Sequence, residues 1–166
     1  MQTKPYIPRR HFADLLHARM AVDPTVWCLT GDLGFGMLKE IERDYPDRFV
    51  NVGAAEQLLV GAGVGLALEG KTPICYSITP FILYRPAEWI RNYLDHEKIR
   101  VKLVGAGYGD DYSHDGFSHH IWNIGPTMTC YPNVSLYTPE KTREDLERDF
   151  STFISDPRAS LIVLRK

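Results

Sequence analysis

The chain has 166 residues, 44% hydrophobic and 24% charged, with a formal net charge of −2. That is enough for one domain, residues 1–166, with its own core, and the composition is ordinary for a soluble globular protein. The slight negative charge argues against nucleic-acid binding, which needs a basic face, and no run approaches the ~18 apolar residues of a membrane span. Met1-Gln2-Thr3-Lys4-Pro5 lacks the apolar core of a signal peptide. Cys28, Cys75 and Cys130 are far apart, and the first two fall in apolar runs, so they read as small core residues in a reducing compartment. The expected location is cytoplasmic.

Phe12, Leu15, Leu16 and Met20 recur at helical spacing and predict a first helix from about Arg9 to Met20. Val26–Leu29 reads as a strand ending at Thr30-Gly31-Asp32, followed by a helix from Leu38 to Tyr45 that Pro46 stops. The strand Phe49–Val52 leads into a Gly/Ala/Leu-rich helix, Glu56–Leu68. Pro73–Ser77 is the next strand, Pro86–His96 the next helix, and Arg100–Val104 a further strand. A long polar loop, Gly105–His120, precedes a short helical piece near Trp122–Met128 and the strand Val134–Tyr137. Thr138-Pro139-Glu140 is expected to open a last helix, and Ser160–Leu164 to form the last strand. Strands alternating with helices predict an α/β three-layer sandwich around a largely parallel sheet of about six strands.

In such folds, function gathers in the loops at the carboxyl ends of the strands. Those loops hold Asp32, Glu56, Phe81/Tyr84/Arg85 and Asp115/His119/His120, with Arg165 just past the last strand. Taken singly, each has an ordinary structural reading, from a turn aspartate to a solvated terminal arginine. Glu56, on the first turn of a mostly buried helix, serves either the helix dipole or chemistry that needs a buried acid. The Gly105–His120 loop packs four glycines, three aspartates and three histidines into sixteen residues. Its end, His114-Asp115-Gly116-Phe117-Ser118-His119-His120, sets imidazoles that titrate near neutrality beside a carboxylate. The spacing supplies no second ligand pair on a helix and the cysteines lie elsewhere, so no metal site is expected in this chain.

Seven motifs in order give the chain a family likeness. They are Gly31-Asp32-Leu33, Val52-Gly53-Ala54-Ala55-Glu56-Gln57 and Gly65-Leu66-Ala67-Leu68-Glu69-Gly70. Then come Thr79-Pro80-Phe81-Ile82-Leu83-Tyr84-Arg85 with Ile90-Arg91-Asn92, and Asp115-Gly116-Phe117-Ser118-His119. Tyr131-Pro132-Asn133-Val134 and Leu161-Ile162-Val163-Leu164-Arg165 close the series. Over essentially its whole length the chain resembles the pyrimidine-binding domain of transketolase-type, thiamine-diphosphate-dependent enzymes.

The resemblance implies roles. Glu56 matches the glutamate that hydrogen-bonds the cofactor's aminopyrimidine and favours its imino tautomer. Phe81 matches the aromatic residue that stacks on that ring, with Tyr84 one turn further on. Asp32 and Leu33 match the loop reaching towards the thiazolium side. Asp115 and His119 match the family's Asp-Gly-x-Thr-His pattern, with Ser118 replacing threonine, and would contact substrate oxygens. His120 stands where the family often has glutamine, which leaves the choice between the two histidines open, with His119 preferred. Arg165 matches a sugar-phosphate-binding arginine, and Arg10 is a candidate second one.

The family's Gly-Asp-Gly motif, which with a later asparagine holds magnesium and the diphosphate, does not occur in the sequence; Gly109-Asp110-Asp111 is the nearest run. The chain also stops at Arg165-Lys166, before the family's third domain. The resemblance therefore implies one subunit of a split transferase in a heterotetramer, its partner subunit carrying the diphosphate and magnesium site. The expected reaction moves a two-carbon ketol unit from a ketose, phosphorylated for preference, to an aldehyde. The alternatives are a split 2-keto-acid decarboxylase or synthase, which Asp115, His119 and Arg165 disfavour, and a non-catalytic scaffold subunit, which Glu56 and Phe81 disfavour. A dinucleotide-binding protein is disfavoured because Gly31-Asp32-Leu33-Gly34-Phe35-Gly36 lacks the required glycine spacing.

Overall fold

The computed structural model describes residues 6–34, 36–139 and 142–166. Six strands form one sheet: β1 Val26–Thr30, β2 Phe49–Asn51, β3 Thr72–Ile78, β4 Lys102–Ala106, β5 Ser135–Tyr137 and β6 Ser160–Leu164. Their order is β2-β1-β3-β4-β6-β5, and every neighbouring pair is parallel. The helices are α1 Pro8–Val22, α2 Lys39–Asp44, α3 Glu56–Leu68, α4 Thr79–Tyr84, α5 Ala87–Trp89, α6 Ile124–Met128 and α7 Arg143–Ser155; α5 runs into a π-helical segment, Ile90–His96. Among the described residues, no helix is long and apolar enough to cross a membrane.

Neighbouring strand residues face opposite ways, so the central strands carry apolar side chains on both faces. Leu29, Cys75, Leu103 and Leu161 join Leu59, Val60, Ile82 and Ile90 on one face. Cys28, Ile74, Val104 and Ile162 join Phe12, Leu16 and Met20 of α1 and Phe150 and Phe153 of α7 on the other. These are the three layers expected. The glycine-rich, apolar character of α3 has a steric cause at Gly63, where an added Cβ would stand 2.7 Å from the Cys75 Sγ. The chain passes from β1 to β2 on one side and then to β3 on the other. The crevice at this reversal lies where the loops after β1 and β3 part.

Local boundaries differ from the sequence reading in several places. Residues 79–84, expected as loop, form α4, because Pro80 near its start is already set for a helix. The helix expected over Pro86–His96 is instead α5 followed by the π-helical segment, and Pro86 separates it from α4. The strand expected at Arg100–Val104 starts at Lys102 and runs through Gly105 and Ala106. Gly105 is admitted there because Thr79 packs against it, with Oγ1 only 2.5 Å from where a Cβ would stand. The last helix begins at Arg143, where the Thr142 hydroxyl accepts from the Asp145 N–H at 3.2 Å; Glu140, in the expected helix start, lies outside the described residues.

The amino end of the sheet holds a buried polar knot. The Lys102 Nζ donates to the carbonyls of Asp156 and Arg158 and to Ser160 Oγ, each at 2.8 Å. Burial, aided by the Arg100 guanidinium, pushes the Lys102 pKa down from 10.5 to about 7. Between those two values the unfolded chain holds a proton that the folded chain has released. The stability contributed by Lys102 should therefore rise with pH across that window. Urea unfolding should show the unaltered chain gaining on Lys102→Met from neutral to alkaline pH. A difference that does not change with pH would mean that the three acceptors keep the ammonium charged.

Candidate functional site

Glu56 is the first residue of α3 and is 3% exposed. No side chain caps this helix at Ala55, yet the carboxylate oxygens are engaged elsewhere. Ser77 Oγ, at the end of β3, donates to Oε1 at 3.1 Å, and Arg85 Nη1, just past α4, donates to Oε2 at 2.7 Å. The Arg85 guanidinium lies against the Phe81 ring, with Cζ 3.6 Å from its centroid. Phe81 and Arg85 are four residues apart, so α4 delivers both to one face. The His119 ring also meets Phe81, 4.8 Å away centroid to centroid at an interplanar angle of 61°. A buried carboxylate, an aromatic plane and an imidazole thus converge from three elements at the carboxyl edge of the sheet.

The long loop folds into two 3₁₀ turns, Ser113–Asp115 and Phe117–His119. Gly116 between them has φ of +87°, a conformation that disfavours any side chain. The second turn points His119 at Phe81 and Tyr112 and sets its Nδ1 3.1 Å from Ser118 Oγ. His120 turns to Phe117 instead, with Nε2 buried and, among the described residues, unpartnered. Of the two histidines, His119 is the one beside Phe81. Asp115 is exposed, and its carboxylate lies 3.2 Å from His114 Nε2.

The loop after β1 approaches the same carboxylate. A Cβ on Gly31 would stand 3.6 Å from Glu56 Oε1. Asp32 follows with φ of +58°, held by Asn51, whose Oδ1 accepts from the Asp32 N–H at 3.0 Å and whose Nδ2 donates to Asp32 Oδ1 at 3.3 Å. Leu33 is half-buried and packs towards the α1 and α7 face.

Other residues singled out in the sequence lie apart from this cluster. The Tyr84 hydroxyl donates to Asn123 Oδ1 at 2.9 Å. The Arg165 guanidinium sits over the Tyr108 ring at 4.9 Å, lining a groove of about 670 Å³ with Thr138 and Thr142. Arg10 is exposed on α1, whereas its neighbour Arg9 reaches inward. Arg9 Nη1 donates to the Tyr112 hydroxyl at 2.5 Å, and its Nε is buried without a partner among the described residues. Burial pushes the Tyr112 phenol up, and the Arg9 charge opposes this. Tyr112 thereby links Arg9 to His119.

Sequence reasoning misses Ser77, Arg9, Asn51 and the use of Arg85. Ser77 carries a signal, a hydroxyl in an otherwise apolar strand end, and Arg85 carries its four-residue spacing from Phe81. Arg9 and Arg10 are adjacent, and only the roll of α1 separates them. Among the described residues, no group of three or more His, Cys, Asp or Glu side chains could hold a metal ion.

Residues 8–166 match the transketolase pyrimidine binding domain, and the chain belongs to that family. One relative is a subunit of the apulose-4-phosphate transketolase of Actinobacillus succinogenes, 37% identical over 103 residues, 61% of this chain and 33% of that protein. The 6-deoxy-6-sulfo-D-fructose transketolase subunit SqwH of Clostridium sp. is 28% identical over 132 residues, 79% of this chain and 41% of that protein. The chain thus spans well under half the length of these two relatives. A split gene transketolase solved as an inactive beta4 tetramer superposes with a TM-score of 0.84 at 24% identity, over 98% of this chain and 52% of that chain, a likeness of fold.

Proposed function

We propose that this chain is the pyrimidine-binding part of a thiamine-diphosphate-dependent, transketolase-like transferase. It would move a two-carbon ketol unit from a phosphorylated ketose to an aldehyde. The observation that carries this reading is the buried Glu56 carboxylate, joined through Arg85 to the Phe81 ring, which His119 also meets, at one edge of the sheet. These groups fit an aminopyrimidine: an apolar plane for its face, and an acid of low exposure to share a proton with a ring nitrogen. Arg85, which lies against both Phe81 and Glu56, would have to move aside. When bound, thiamine diphosphate would supply a carbon nucleophile and electron sink for cleaving and forming the ketol bond.

The chain's own residues divide the remaining work. Glu56 holds a proton at the pyrimidine ring nitrogen, and Ser77 keeps the carboxylate oriented by donating to its second oxygen. Asp32 and Leu33 would border the thiazolium side if the cofactor binds here. His119 donates to the substrate carbonyl oxygen as its charge changes, and Asp115 accepts from a hydroxyl. Arg165 offers a planar, permanently charged fork to the phosphate. Arg9, more than Arg10, is turned to reach substrate from the Tyr112 side.

Magnesium and the diphosphate require oxygen ligands of the Gly-Asp-Gly type, which we assign to a partner subunit in a heterotetramer. The names of two relatives as transketolase subunits support this division. Exposed apolar residues, Leu58 on α3 and Phe117 and Trp122 around the long loop, offer a docking surface. Calorimetry tests the reading. The chain alone should bind thiamine diphosphate weakly and without magnesium dependence. Mixing it with the product of a neighbouring reading frame that carries Gly-Asp-Gly should create tight binding and ketol transfer together. Tight, magnesium-dependent binding by the chain alone would overturn the division.

A further inference from the structure

The Arg85 side chain bridges Phe81 and Glu56 as a planar ligand would. Its guanidinium is planar and delocalised, its Cζ lies 3.6 Å from the centroid of Phe81, and its N–H edge meets Glu56 Oε2 at 2.7 Å. An aminopyrimidine held by the same two residues would present the same features: a flat face on Phe81 and an N–H edge on the carboxylate. Both cannot occupy that face at once. We propose that Arg85 is an internal occupant of the pyrimidine half-site, filling it in the ligand-free chain and exchanging against a planar heterocycle that carries N–H groups. The proposal rests on the reading that this pocket receives an aminopyrimidine.

Three observations argue for exchange over a permanent contact. First, the Glu56 side chain is 2% exposed while that of Arg85 is 45% exposed. The arginine can rotate out with its charge already partly in water, whereas the carboxylate cannot follow. Second, the Arg85 backbone is tied down independently of its side chain. Its N–H donates to the Phe81 carbonyl at 3.2 Å, its carbonyl accepts from Gln57 Nε2 at 3.3 Å, and Pro86 stiffens the next position. Departure therefore needs only a change of rotamer. Third, among the described residues, no other basic side chain lies within ion-pair distance of Glu56. A buried carboxylate left with the Ser77 hydroxyl alone is costly, so Glu56 favours a partner that carries N–H groups at this position.

The occupied state weakens ligand binding in proportion to the time it keeps the site closed. The test is a titration of 4-amino-5-hydroxymethyl-2-methylpyrimidine, at up to millimolar concentration, into the full chain, Arg85→Ala and Arg85→Lys. Binding is followed by NMR, and the fold of each variant is checked by circular dichroism. Arg85→Ala should bind the probe about tenfold more tightly if the side chain is in place roughly nine-tenths of the time. Arg85→Lys should fall between, because an ammonium pairs with Glu56 but does not lie flat on Phe81. In the unaltered chain, the probe should move the Arg85 Hε resonance away from its ring-shifted position. Equal or weaker binding by Arg85→Ala would show that the arginine does not compete, leaving the functional reading intact. No binding by any of the three proteins at millimolar probe would overturn this proposal, while the functional reading is decided separately by cofactor binding to the mixture with the partner subunit.

Discussion

Replacing Glu56 with glutamine should slow exchange of the thiazolium C2 proton in the assembled, cofactor-loaded protein by about 10²–10⁴-fold, the usual cost of losing a positioned proton-transfer group. The substitution is nearly isosteric, and the amide oxygen can still accept from Ser77 or from Arg85. It cannot share a proton with a ring nitrogen as a carboxyl does. Assembly and the content of secondary structure should therefore be unchanged. Proton exchange followed by NMR in deuterated water separates this from a defect in any later step. Exchange at the unaltered rate would return Glu56 to the role of a helix-end carboxylate.

The same site predicts which single substitutions disturb the chain before any ligand binds. Removing Glu56 leaves Arg85 with nearly half its side-chain surface in water, so the guanidinium can be resolvated at little cost. Removing Arg85 leaves Glu56, 3% exposed while the arginine is in place, with one hydroxyl partner. The energetic asymmetry belongs to the partner that cannot reach solvent. Glu56 is thus the buried member of the pair and Arg85 the one that faces solvent.

Much of this is legible in the sequence because it depends on local pattern. The start of α3 at Glu56 and its end at Leu68 follow from a continuous apolar run entered from a short strand. Strand β6 follows from Ser160–Leu164 in the same way. The alternation of strands and helices leads directly to a parallel sheet. What stays hidden depends on rotation and on tertiary contact. α4 escapes a sequence reading because six residues carry too little period to register, and the helix is fixed by packing of Ile82 and Leu83 into the core. That Arg9 meets Tyr112 while Arg10 is exposed depends on the roll of α1 against α7, where His11 Nε2 meets Glu147 Oε1 at 3.0 Å. That His119 and not His120 lies beside Phe81 depends on a 3₁₀ turn next to Gly116. Arg85 is visible as a residue, but its position over Phe81 is a property of the folded pocket.

Arg165 and His119 should fail in different ways when tested on a phosphorylated ketose. His119 stands beside Phe81, where a substrate oxygen would change charge, so His119→Ala removes a contact that strengthens as the reaction proceeds. It should lower kcat by roughly 10²–10⁴-fold, more than it raises KM. Arg165 lies over Tyr108 at the neighbouring groove and has no ion-pair partner among the described residues, so its fork is available to an external anion. Arg165→Ala removes a contact made equally before and during reaction, which raises KM with a smaller change in kcat. A charge-assisted, bidentate contact of this kind is worth about 1.5–3 kcal/mol, or roughly ten- to a hundredfold. Light scattering beside the kinetics separates this from loss of assembly. The decisive comparison is between a ketose phosphate and the same ketose without its phosphate. Arg165→Ala should weaken only the first. Equal weakening of both would show that Arg165 does not read the phosphate, and would move the donor away from sugar phosphates while leaving the roles of Glu56 and His119 in place.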